Sequence, residues 1–261
     1  MNTLIVLAAG EGNRLKPYTE NVPKCMVPLR GITLIERNLS QWSKAGKFNV
    51  IVVSGYKSDC LKRQGYQLID NPIYSSTNMV WSLLMSLPLI EKIQEEFIYV
   101  CYGDIIMGSK NIKALMSSYS DADIALIIDE EWESLWSMRM DDYMKDVESL
   151  KYKDNKVIEI GKKDPDISEV QGQYTGVIKF KRNILIEELK AYESWVKDSI
   201  NKEVMHSRRN MYLTDFIQNY IDKNGAVKPV LINGGWLEVD SAEDLLAYEN
   251  NWSKFSFLAP S

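Results

Sequence analysis

The sequence predicts an α/β protein built on a doubly wound, mostly parallel, Rossmann-like sheet. Three observations lead there. Four apolar runs, residues 4–9, 50–53, 97–102 and 124–128, lack in–out alternation, as strands covered on both faces do. Segments with apolar residues at helical spacing separate them, which is the β-α alternation of a parallel sheet with right-handed crossovers. The runs break off at Gly10, Gly55, Gly103-Asp104 and Asp129, so turn and acidic residues gather where strands end.

The elements follow in order. After the first strand, Leu34, Ile35, Leu39 and Trp42 recur at helical spacing, with Gly46 as a stop. Residues 50–53 form the next strand. The polar loop 71–78 leads into an amphipathic helix marked by Met79, Val80, Leu83, Leu84 and Leu87. A strand over 97–102, a helix around 115–119 and a strand over 124–128 complete this part. Residues 157–160 and 175–180 alternate like antiparallel strands. Helical spacing returns over 185–196 and 213–221. Residues 235–241 read as a strand entering a helix over 242–250, capped by Ser241 with Asp244 three residues on. Residues 1–250 thus read as a single domain, and 251–261 as a tail without pattern that could be disordered.

Composition narrows the function. The 261 residues are 45% apolar, enough for a sizeable core in one large α/β domain. No basic leader precedes the first apolar run, and no run is long enough to cross a bilayer, so neither a signal peptide nor a membrane role is expected. Cys25, Cys60 and Cys101 are widely spaced and odd in number, which suits a reducing cytoplasm. The net charge of −5 disfavours nucleic acid as a partner. A single histidine, His206, weakens any histidine-based mechanism. Nothing in the sequence assigns an oligomeric state.

The loop after the first strand carries the strongest chemical signal. Gly10 and Gly12 permit a tight turn with close backbone approach to a ligand, and their amides suit an anion. Arg14 adds a planar cation. Lys16 and Lys24 lie on a segment stiffened by Pro17, Pro23 and Pro28. This is a loop for a polyphosphate. Leu15 stands where the Rossmann fingerprint needs its third glycine, and no Gly-Lys-Ser/Thr triplet offers a Walker A loop. Asp104, at a strand end, can hold Mg²⁺ beside nucleotide phosphates, or it can cap the next helix. The same two readings apply to Asp240. With Lys24 opposing them, the two carboxylates would bracket an α-phosphate.

The composite Leu7-Ala8-Ala9-Gly10-x-Gly12-x-Arg14-Leu15, followed by Pro23-Lys24, resembles the nucleotidyltransferase superfamily. Nearly the whole chain is similar to its cytidylyltransferase branch, which joins CTP to phosphocholine or small phosphonates, and above all to the 2-aminoethylphosphonate cytidylyltransferases. The resembling segments are Asn71-Pro72-x-Tyr74-x-x-Thr77-Asn78-Met79-x-x-Ser82-Leu83, Asp104-Ile105, Trp132-x-x-x-Trp136-x-x-Arg139, Glu169-Val170-Gln171-Gly172-Gln173-Tyr174-x-Gly176 and Trp236-x-Glu238-Val239-Asp240-Ser241. The resemblance implies triphosphate contacts at Gly12, Asn13, Arg14 and Lys24. It implies base contacts from the backbone of Leu7, Ala8, Ala9 and Gly10, and from Gly55, Thr77 and Asn78. It also implies Mg²⁺ on Asp104 and Asp240, catalytic roles for Lys24 and Arg14, and a small antiparallel acceptor-binding insertion within about 129–180. Ile105 replaces the Asn that sugar-nucleotide relatives often carry, which argues against a sugar phosphate.

Trp132 and Trp136 lie one helical turn apart and could together face an ammonium group, unless they are a core pair. Asp129, Asp142, Asp146 and Glu169 supply acidic surroundings, or else a solvated acidic surface. Arg139 or Lys162 could hold the phosphonate, and Gln173 and Tyr174 complete the set. The expected activity is Mg²⁺-dependent transfer of CMP from CTP to a small amine-bearing phosphonate or phosphate, 2-aminoethylphosphonate being favoured. Phosphocholine or a sugar 1-phosphate as acceptor, a glycosyltransferase with a related sheet, and a non-catalytic nucleotide-sensing module are the rivals.

Overall fold

The computed structural model describes residues 1–62 and 65–258. A seven-stranded sheet runs through the molecule in the spatial order Val227–Ile232, Ile124–Asp129, Gln173–Lys181, Phe97–Tyr102, Asn2–Ala8, Phe48–Ser54, Gln67–Asp70. Asn2–Ala8 lies deep in the sheet, parallel to Phe48–Ser54 on one side and to Phe97–Tyr102 on the other. Its side chains still alternate: Leu4, Val6 and Ala8 enter one core, Ile5 and Leu7 the other. Because both cores are apolar, the alternation is invisible in the sequence.

The sheet is mostly parallel, as expected, with a single reversed strand. Gln173–Lys181 runs antiparallel to both of its neighbours. It therefore belongs to the main sheet, and the insertion proper is the antiparallel hairpin Glu148–Lys153 and Lys156–Lys163. Helices Leu34–Ala45, Ser109–Ser117, Trp132–Arg139 and Ala242–Asn250 cover the first core. Met79–Leu84, Leu87–Ile90, Arg182–Lys197 and Leu213–Asp222 cover the second.

Caps fix where several helices begin. Thr33 Oγ1 accepts from Glu36 N at 3.3 Å, and Glu36 Oε2 accepts from Thr33 N at 3.1 Å. Ser241 and Asp244 form the second reciprocal pair that the sequence signals. Two strands of the main sheet, Gln67–Asp70 and Val227–Ile232, escape the sequence reading, and both are its edges. The second contains Pro229 and Lys228, residues that an edge tolerates and that break an apolar run.

The end of the chain is ordered where it is described. Phe255 and Leu258 are buried in the first core, and Gln41 Nε2 donates to Phe257 O at 3.1 Å. The expectation of a disordered tail is thus corrected for residues 251–258, and the remaining three residues lie outside the described ones. Among the described residues, no helix is long and apolar enough to cross a membrane.

Candidate active site

A cleft of about 520 Å³ opens beyond the carboxyl ends of the parallel strands, within the usual range for a small-molecule site. Leu7, Ala8, Ala9 and Gly10 form its floor, and Gly12, Asn13, Arg14 and Lys24 one wall. Gly12 has a left-handed φ of 69°, and a Cβ there would lie 3.0 Å from Cβ and Cγ of Lys24. Glycine at this point lets the loop close over the lysine stem. Thr77 and Asn78 line the opposite side. Both are held in place: Thr77 Oγ1 accepts from Asn71 Nδ2 at 3.0 Å, and Asn78 Oδ1 accepts from Met79 N at 2.9 Å.

Gly55 does not line the cleft. It sits behind Tyr74, where a Cβ would come within 2.5 Å of the Tyr74 Cβ. Its lack of a side chain admits Tyr74, which does line the cleft, so its contribution is to packing rather than contact.

A charged cluster lies at the centre. Strand Trp236–Glu238 pairs antiparallel with Ile105–Met107, and Val239 N donates to Asp104 O at 3.1 Å. This short ribbon brings Asp240 beside Asp104 although they are far apart in sequence. The Lys24 ammonium donates to one carboxylate oxygen of each. Arg14 Nη2 lies 3.3 Å from Asp240 Oδ1. Behind them, Arg139 donates to both oxygens of Asp244 at 3.1 Å and reaches Glu238 at 3.3 Å and Asp240 at 3.4 Å.

Burial and charge compete throughout this cluster. Burial alone would lower the Lys24 pKa, but Asp104 and Asp240 outweigh it and raise the value. Burial would raise Asp240, but Lys24 holds it below the usual carboxylate range. Glu238 is pushed up to about 8, by burial first and then by the charge of Asp240.

The donor set fits a hard divalent cation. Oxygens of Asp104, Glu238 and Asp240 lie within 4.8 Å of one another. Asp104 Oδ1 is buried with no hydrogen-bond partner, an unmet need that a cation would satisfy. Glu238 escaped the sequence reading as a site residue, although its neighbour Asp240 did not. Alternation along a strand suggests that residues 238 and 240 share a face, and that signal was there to use.

The acceptor expectations divide. Trp136, Asp146, Gln173 and Tyr174 line the cleft. Gln173 ties the hairpin to the main sheet, its Nε2 donating to Glu148 O at 2.7 Å. Asp146 has a pKa raised by burial and then by Asp240.

The other six expected acceptor residues do not line it. Asp129 is buried, accepting from Trp236 Nε1 and Gly234 N, each at 2.8 Å. It satisfies a loop and an indole, leaving no free acceptor for a ligand. Trp132 and Trp136 do lie on one helix, but their rings meet edge to face at 6.1 Å inside the core. The Arg139 guanidinium lies 5.1 Å from the centre of the Trp136 ring, so the pair forms no open cage. Arg139 is itself fully engaged by carboxylates. Asp142 is an exposed partner of Lys145 at 2.8 Å. Glu169 pairs with Lys151 at 2.8 Å and with Lys162 at 3.4 Å, away from the cleft.

Unexpected residues take their places. Glu148, Lys163, Tyr212 and Thr214 line the far end. Lys163 donates to Glu148 and lies 5.9 Å from the Tyr212 ring centre. Burial raises the Glu148 pKa, partly opposed by Lys163.

Comparison with known proteins agrees with this geometry. A family model described as a MobA-like NTP transferase domain matches residues 4–192. CTP:phosphoglutamine cytidylyltransferase of Campylobacter jejuni is 33% identical over 251 residues, covering 92% of this chain and 96% of that protein. Choline-phosphate cytidylyltransferase of Streptococcus pneumoniae is 38% identical over 85 residues, covering 31% of this chain and 37% of the other. The inositol-1-phosphate CTP transferase from T. maritima superposes with a TM-score of 0.72 at 22% identity, covering 99% of this chain and 95% of that one. A glycine turn with two cations facing a carboxylate cluster at the strand ends, together with these matches, shows that the chain belongs to the MobA-like NTP transferase domain family and is a nucleotidyltransferase.

Proposed function

We propose that this enzyme transfers CMP from CTP to a small acceptor with a phosphate or phosphonate at one end and an amino group at the other, releasing pyrophosphate. The observation that carries the reading is the meeting of Lys24, Arg14, Asp104 and Asp240 at one point beside the glycine turn. The relative matched over nearly its whole length uses CTP and phosphoglutamine by name, which supports the nucleotide and the size of the acceptor.

An ionised oxygen of the acceptor attacks the α-phosphorus while the bond to the β-phosphate oxygen breaks. No covalent enzyme intermediate is needed, so the protein contributes positioning and charge neutralisation. Asp104 and Asp240, with Glu238 beside them, would hold Mg²⁺. When bound, the ion would neutralise charge on the phosphates. Lys24 stabilises charge at the α-phosphate. Arg14 and the amides around Gly10–Gly12 hold the departing β,γ unit.

The far end of the cleft favours an amino group over a bare quaternary ammonium. Asp146 and Glu148 offer acceptors for N–H donors, while the indole faces of Trp132 and Trp136 are covered. Lys163 beside them adds a place for a carboxylate, as in a phosphorylated amino acid.

Phosphorus NMR tests the reading, with CTP and 2-aminoethylphosphonate, phosphoglutamine or phosphocholine in parallel. A new phosphoanhydride signal, from the P–O–P link between CMP and the acceptor's phosphate or phosphonate, is expected together with pyrophosphate for an amine-bearing acceptor. Turnover with sugar 1-phosphates alone, or with UTP in place of CTP, would overturn it.

A further inference from the structure

We propose that Lys24 occupies the divalent-cation position between Asp104 and Asp240 until a nucleotide arrives, so that the metal enters with the nucleotide and not ahead of it. The inference rests on Asp104 and Asp240 being the metal pair. It adds an order of events and gives Lys24 a second role, as the cation that the metal replaces.

The geometry has three parts. First, the ammonium contacts Asp104 Oδ2 and Asp240 Oδ1, the carboxylates whose oxygens cluster with that of Glu238 within 4.8 Å. A divalent ion that bridged the same oxygens would share their space with an ammonium of like charge, and the two repel at that range. Second, the lysine stem is confined. Its Cβ and Cγ lie against Gly12, its side chain is only 16% exposed, and only its outer torsions are free to swing the ammonium away. Third, the cluster cannot release the ammonium without a substitute. Arg139 is committed to Asp244, Glu238 and Asp240, and Arg14 reaches only Asp240. Asp104 would then stand beside Glu238 and Asp240 with no cation of its own.

The exchange therefore has two halves that support each other. A polyphosphate bound over Gly10–Arg14 offers oxygens to the ammonium, and a metal ion arriving with that polyphosphate neutralises the carboxylates the ammonium leaves. Thermodynamic linkage makes the effect reciprocal: the nucleotide tightens the metal as much as the metal tightens the nucleotide.

Mn²⁺ binding followed by electron paramagnetic resonance and water-proton relaxation tests this without turnover. Three proteins are compared, wild type, Lys24→Met and Lys24→Met/Asp104→Asn, each alone and with α,β-methylene-CTP. Circular dichroism checks that each variant is folded. Wild type alone should bind Mn²⁺ at least about tenfold more weakly than Lys24→Met, and the nucleotide analogue should remove most of that deficit. The double variant should lose the gain, which locates the ion. If wild type alone binds one Mn²⁺ as tightly as it does with the analogue, the exchange is refuted, whatever the variants do, and the metal pair stands. If no protein binds Mn²⁺ even with the analogue, the metal pair itself is refuted and the exchange falls with it.

Discussion

The two ends of the cleft are built in different ways. At the nucleotide end, Arg14 and Lys24 come from the loop after the central strand, and Asp104 and Asp240 from two strands zipped into a short ribbon. Lys24, Asp104 and Asp240 are held to one another there, and Arg14 reaches in from the exposed loop. At the far end, Asp146 lies on a single turn, Glu148 and Lys163 on a hairpin, and Tyr212 and Thr214 at the start of a helix. The register of that hairpin shifts twice. One end, where the proposed function puts the reacting phosphates, is a tight cluster of opposite charges. The other can be rebuilt without disturbing the sheet, which is where discrimination among acceptors belongs.

Substitutions can break or sharpen this contrast. The largest effect is expected from Asp104→Asn, which should lower kcat by about 10³-fold through the loss of metal-based charge neutralisation. Pyrophosphate release measured against Mg²⁺ concentration checks it, and near-normal activity would end the ligand assignment. Lys24→Ala should lower kcat by about 10²–10³-fold, a larger effect than that on the Kd for CTP. A normal kcat with weak CTP binding would make Lys24 a binding residue only.

Arg139→Met sits behind the nucleotide end and should cost stability first. Removing the guanidinium leaves buried carboxylates unpaired, at about 3–5 kcal/mol. Urea unfolding would show that loss, and an unchanged midpoint would remove Arg139 from the cluster's support. The smallest effects belong to the far end. Lys163→Met should raise the acceptor KM by about tenfold and leave CTP binding alone, whereas Lys162→Met should change either constant by less than about twofold. Steady-state kinetics on the pair decides which lysine serves the acceptor.

The same contrast explains what the sequence disclosed. The central strands, the glycine turn and the pairing of Lys24 with Asp104 and Asp240 were all legible. Buried parallel strands are long apolar runs, and their loops deliver side chains to one edge. The far end was half legible: of the residues expected there, Trp136, Asp146, Gln173 and Tyr174 line the cleft. The sequence offers Arg139 or Lys162, whereas Lys163 is the lysine that lines the cleft, because a register shift between Ile160 and Lys163 changes which residues share a face. Asp129 and Arg139 misled for another reason. Each stands near chemistry in the sequence, yet its hydrogen bonds are spent inside the protein. Tyr212 and Thr214 lie far along the chain from the acceptor region, and no local pattern marks them.

The last described turns have a practical meaning. Trp252 lies under the guanidinium groups of Arg30 and Arg37, at 5.2 and 4.9 Å, and Arg37 donates to Leu29 O. That clasp grips the hairpin just downstream of the stretch bearing Lys24. Shortening the polypeptide before Trp252, or fusing a bulky tag there, would loosen the hairpin that follows Lys24, although the cut lies outside the cleft. Expression designs should keep the residues through Leu258 and begin any fusion beyond them.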